Sequence, residues 1–67
     1  MNINKFKGKV VENGLSIEKV ARLIGIDKST LYRKLNAGGN DITIGEMGEM
    51  YKILKLTVDE AHDIFFD

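Results

Sequence analysis

The sequence predicts an all-α fold, a compact five-helix bundle, on three observations. Apolar residues recur at helical spacing in five short segments, and no stretch shows the two-residue alternation of a convincing strand. Residues that cap helix starts (Ser16, Asp27, Thr43 and Thr57) stand ahead of four of those segments. Proline is absent and seven glycines are present, so helices are punctuated rather than broken.

In the first segment Ile3, Phe6 and Val10 share a face, and Asn13-Gly14 supplies the stop. Ser16 opens the second, where Ile17, Val20, Ala21 and Ile24 follow at i, i+3, i+4, i+7 before Gly25. Asp27 opens a third helix that runs through Asn36. Ala37-Gly38-Gly39-Asn40-Asp41 is a loop built of turn residues. Thr43-Ile44-Gly45-Glu46 and Thr57-Val58-Asp59-Glu60 are capping boxes, a threonine with a glutamate three residues on, and they begin helices four and five. Gly45 and Gly48 each cost the fourth helix about 1 kcal/mol relative to alanine, so it depends on packing. Its methionines, Met47 and Met50, read as core filler. At 100° per residue Ile44, Met47, Met50, Tyr51 and Leu54 form one inward arc on helix four, and Val58, Ala61, Ile64 and Phe65 another on helix five. Ile53 and Phe66 fall outside these arcs.

Composition narrows the function. Sixty-seven residues are enough for a single domain, 1–67, with a small core and little room for a substrate cavity. Without cysteine there is no disulfide, thiolate zinc site or thiol nucleophile. His62 stands alone. Asp59, Glu60, Asp63 and Asp67 lack calcium-loop spacing, and Gly38-Gly39 is not followed by the lysine–serine pair of a phosphate loop. These features predict a protein that is not an enzyme and needs no cofactor, metal or small-molecule substrate. No apolar run approaches a membrane span or a signal peptide, and a cytoplasmic location is expected. Ten basic and ten acidic residues cancel, but unevenly: residues 1–35 carry +5 and residues 36–67 carry −5. A polyanion responds to local charge within about a Debye length rather than to the total, so the balance does not exclude nucleic acid.

Residues 16–36 carry the most information. Ala21 leaves room for a second helix, Gly25 permits the sharp turn, Ile26 plugs the corner, and Leu31 and Leu35 anchor the second helix to the core. This is a helix-turn-helix pattern. Leu15-Ser16, Val20-Ala21, Gly25-Ile26 and Ser29-Thr30-Leu31, followed by Ile44, Met47, Met50, Leu54 and Leu56-Thr57-Val58-Asp59-Glu60, resemble the Cro/C1-type (Xre-like) helix-turn-helix regulators of phages and prophages. The resemblance covers nearly the whole chain. It implies a lambda-repressor-like DNA-binding domain whose third helix enters the major groove of a double-stranded operator. Many members carry a glutamine that touches a phosphate where Ile17 stands here, which leaves Ser16 or Lys19 to supply part of that contact.

With Leu31 and Leu35 inward, Ser29 and Arg33 point outward, Thr30, Tyr32 and Asn36 flank them, and Lys28 lies at the exposed start of the helix. The family's base-contacting positions fall on Lys28, Ser29 and Arg33, with Tyr32 and Asn36 at the margins. Arginine and lysine suit guanine, and serine is permissive. Ser16, Lys19, Arg22, Thr30 and Asn40 are candidates for phosphate contacts, Ser16 and Asn40 through helix N-termini. The resemblance also implies dimerisation through the C-terminal helices, and the spare apolar residues Ile53 and Phe66 predict a weak homodimer. A rival reading makes the same bundle a protein-interaction module. An antitoxin or recombination accessory protein would share the DNA contacts. Outward polar residues on helix three favour DNA over a protein partner.

Overall fold

Each helix starts where a polar side chain replaces the missing intrahelical acceptor of its first turn. The structure is a computed structural model that describes residues 1–66; Asp67, counted above among the acids, lies outside them. Five helices result: α1 (Ile3–Glu12), α2 (Ile17–Ile24), α3 (Lys28–Asn36), α4 (Ile44–Ile53) and α5 (Val58–Phe65). Asn2 caps α1, Ser16 caps α2 and Asp27 caps α3, each accepting an amide N–H of the first turn. Both capping boxes close, with Thr43 and Glu46 on α4 and Thr57 and Glu60 on α5 bonded at 2.9–3.1 Å. An apolar residue precedes the cap of each of the last four helices (Leu15, Ile26, Ile42, Leu56), and Ile42 and Leu56 are buried. Such a residue fixes the entry angle of the chain by packing on the first turn. Turn and core are therefore specified together.

The helix ends follow one scheme. The N–H groups of Leu15, Ile26, Gly39 and Leu56 reach back to the carbonyls of Val10, Ala21, Lys34 and Tyr51, closing left-handed turns. Gly25 sits at φ 80° between α2 and α3, where a side chain would be strained. Lys55 takes the same role after α4 at φ 53°, the one non-glycine residue at positive φ among those described.

α2 packs on α3 and α4, and α1 packs on α5 and α2. Phe6, Val20, Leu31, Met50, Leu54 and Ile64 are the largest of the fully buried side chains, with Val10, Ala21, Leu35 and Phe65 in the same core. Chain ends join the same assembly, because the Asn2 N–H donates to the Ile64 carbonyl at 2.6 Å. Asn13 Nδ2 donates to the carbonyls of Lys9 and Leu54, tying the end of α1 to the end of α4.

Helix four is rotated from the predicted arc. Met50 and Leu54 are buried as expected, but Ile44 is 86 % exposed, Tyr51 is exposed, and Ile53 is half-buried against the core. With Ile53 its apolar residues cover about half the circumference, so periodicity alone does not choose which part faces inward. The choice falls to Glu46, which turns towards α3 to pair with Lys34 at 2.9 Å and brings Ile53 partly inward with it. Ile53 is therefore not the freely exposed residue expected. Val58 is also exposed, at the first position of α5, while Phe66 is 71 % exposed as its spacing implied.

The Lys34–Glu46 pair has the most screened geometry of the ion pairs, with side-chain exposures of 12 % and 15 %. Burial raises the Glu46 carboxyl, but the Lys34 ammonium and the Thr43 N–H together outweigh it and hold the group below 4.5. A depressed carboxylate contributes stability that is present above its unfolded value and lost as pH falls through its folded one. Asp27, through the Ser29 hydroxyl, and Glu60, through Lys9, are shifted the same way. Unfolding midpoints should be flat from about pH 5 to about pH 9 and fall below 4.5. Glu46→Gln should lower stability at pH 7 by about 1–3 kcal/mol and make the acid decline shallower. An unchanged acid slope in urea titrations of that variant would remove Glu46 from the account.

Candidate nucleic-acid interface

The turn between α2 and α3 creates the site. Asp27 accepts both the N–H and the hydroxyl hydrogen of Ser29, which fixes the start of α3. Leu31 and Leu35 hold its inner side in the core, and the opposite side is left to solvent. Lys28, Ser29, Tyr32, Arg33 and Asn36 then line one open groove of about 590 Å³, together with Glu18 from α2. All five residues predicted to contact bases are brought together here. Tyr32 is 47 % exposed, an amphipathic ring on the groove wall.

The phosphate candidates divide. Ser16, Lys19 and Arg22 lie on α2 and its cap, Lys19 and Arg22 exposed; the Ser16 oxygen accepts the Lys19 N–H at 3.1 Å while its own hydrogen stays free to donate. Thr30 is half-buried at the edge of α3. Asn40 is exposed in the α3–α4 loop, three residues before the cap Thr43, so it does not stand at a helix N-terminus as expected. The loop continues through Asp41 and the buried Ile42 before α4 begins.

Electrostatics corrects the impression left by the linear charge count. Lys5 pairs with Asp63, Lys9 with Glu12 and Glu60, and Lys34 with Glu46, so three cations of the basic half are engaged inside the fold. Glu60 and then Glu12 raise the Lys9 ammonium above 10.5. Arg33, Lys19 and Lys7 form no ion pair among the described residues, while Arg22 and Lys28 share Glu18 at 3.6 and 3.7 Å. The groove therefore carries a small positive excess concentrated on α2 and α3. Glu18 escaped the sequence reading. Its i, i+4 spacing to Arg22 was visible, but its approach to Lys28 crosses the turn and follows no helical period.

No group of three or more His, Cys, Asp or Glu among the described residues could hold a metal ion, and no helix there is long and apolar enough to cross a membrane. Comparison with known proteins finds that residues 8–38 match a family described as the helix-turn-helix domain of resolvase. No curated protein and no solved structure matches the chain significantly. The matched stretch holds the end of α1, α2, the turn and α3, that is, every groove residue, and stops short of α4 and α5. It does not single out the Cro/C1 family. Residues 8–38 are thus similar to the helix-turn-helix domain of resolvase, and the similarity lies on the turn and the two helices that build the groove.

Proposed function

We propose that the protein is a sequence-specific transcriptional regulator of Cro-like design, a small cytoplasmic DNA-binding unit without catalytic activity. α3 lies in the major groove of a palindromic operator and occludes polymerase. The observation that carries this reading is the groove on the outward side of α3, where Lys28, Ser29, Tyr32, Arg33 and Asn36 converge. Helix, groove width and side-chain chemistry suit base edges, since B-DNA's major groove is about 12 Å wide and admits one helix. Selection from a random-sequence duplex pool tests it. A palindrome with half-sites about 34–36 Å apart, bound with a log–log salt slope of about −0.9 per phosphate neutralised, is the expected result. Unselective or salt-independent binding would sink the reading. The resolvase-type match favours a second possibility, a recombination accessory protein using the same helix. Selected sites flanking a strand-exchange point, rather than overlapping a promoter, would favour it.

A weak homodimer belongs to this proposal. The apolar surface for it centres on Phe66 and Ile44, which border an open groove with Met47, Tyr51, Ala61 and Phe65, and half-buried Ile53 is demoted. Burying two such side chains contributes about 1.5–3 kcal/mol each, enough for a contact completed on DNA but weak alone. Sedimentation of wild type should show dimer only at high concentration, and Ile44→Ser/Phe66→Ser should abolish it. Identical monomer–dimer equilibria would place the interface elsewhere.

A further inference from the structure

We propose that Glu18 is a specificity-determining residue of the α2–α3 groove, an acid set among the DNA-facing cations to suppress binding to duplexes that lack the right bases. The inference rests on the DNA-binding reading above. Glu18 is the second residue of α2 and lies in the same groove as Lys28, Ser29, Tyr32, Arg33 and Asn36. Its two carboxylate oxygens face Arg22 at 3.6 Å and Lys28 at 3.7 Å. All three side chains are more than half exposed, so these pairs do little to hold the fold. Val20, Ala21 and Leu31 already join α2 to α3 in the core. As an acid in the first turn of α2, i, i+4 from Arg22, Glu18 modestly favours its own helix, a local effect that does not call for its second oxygen to face Lys28 across the turn.

Its chemistry in the groove does. A carboxylate brought against DNA repels phosphates, and it also neutralises two of the cations that would otherwise bind them. On an arbitrary duplex nothing offsets either effect. On a site that places an exocyclic amino group before Glu18, cytosine N4 foremost, the carboxylate gains a donor and Lys28 is released to its own base or phosphate. The same acid thus opposes the general complex more than the specific one.

The test compares wild type, Glu18→Gln and the charge-matched Glu49→Gln, whose carboxylate pairs with Lys52 on α4 outside the groove. Each is titrated at several salt concentrations with the duplex selected by wild type from a random pool and with a scrambled duplex of equal length. Urea midpoints establish that all three are folded. Glu18→Gln should bind the scrambled duplex roughly fivefold tighter, with a salt slope steeper by about 1, while the selected duplex gains less or loses affinity. Glu49→Gln should move both duplexes by one small common factor. Equal shifts on both duplexes for Glu18→Gln, or behaviour matching Glu49→Gln, would overturn the role of Glu18 while leaving DNA binding intact. If wild type binds no duplex, the DNA reading itself fails and the inference with it.

Discussion

Leu31→Ala is expected to abolish DNA binding by unfolding the chain, although Leu31 touches no surface. Its side chain is fully buried between the helices of the turn and the core beneath them. Large-to-small replacements at such sites cost about 2–5 kcal/mol, from lost transfer energy and the cavity left behind. A single core in a chain this short rarely supplies more than about 3–5 kcal/mol in all. One truncation therefore removes most of the margin. Urea denaturation followed by circular dichroism should show the midpoint collapsing towards zero. Leu31→Met, which conserves volume, should cost under about 1.5 kcal/mol and keep binding. A folded Leu31→Ala with native affinity would mean that α3 is anchored by something other than its inner side.

Arg33→Ala should act in the opposite way, sparing the fold and striking recognition. Arg33 is exposed, lines the groove and forms no ion pair among the described residues. Its planar fork can bond two acceptors of guanine at once. Loss of that contact should cost about 1–3 kcal/mol on the selected duplex and little on a scrambled one. Lys19→Ala should instead weaken both alike and reduce the salt slope by about 1. Equal losses on both duplexes for Arg33→Ala would reassign it to the phosphate backbone.

The features legible in the sequence and those hidden from it divide along a physical line. Caps, capping boxes and glycine stops are local, each set by a few neighbouring residues, so all five helices and the starts of α2 to α5 were legible, whereas the Asn2 cap of α1 and the glycine-free end of α4 at Lys55 were not. So was the outward side of α3, because Leu31 and Leu35 leave no ambiguity about which side is inner. The rotation of α4 was not, since it is decided by Lys34 and Glu46, twelve residues apart and on different helices. Asn40 stands three residues before the Thr43 cap, a separation the capping box already shows in the sequence. Glu18 was hidden because its meaning comes from Lys28 across the turn. Contacts within an element follow its period, and contacts between elements do not.

Three ion pairs, Lys5–Asp63, Lys9–Glu60 and Lys34–Glu46, each join the positive half of the sequence to the negative half. Before folding, the same charges form two opposed blocks along one flexible chain. Their attraction contracts the denatured ensemble and lowers the entropy spent on bringing α1 to α5. Part of the electrostatic gain is thus already present ahead of the core, where it accelerates collapse, and the rest appears as the stability that the closed pairs contribute in the fold. Added salt should slow refolding more than it hastens unfolding, a kinetic signature of charge segregation written along the chain.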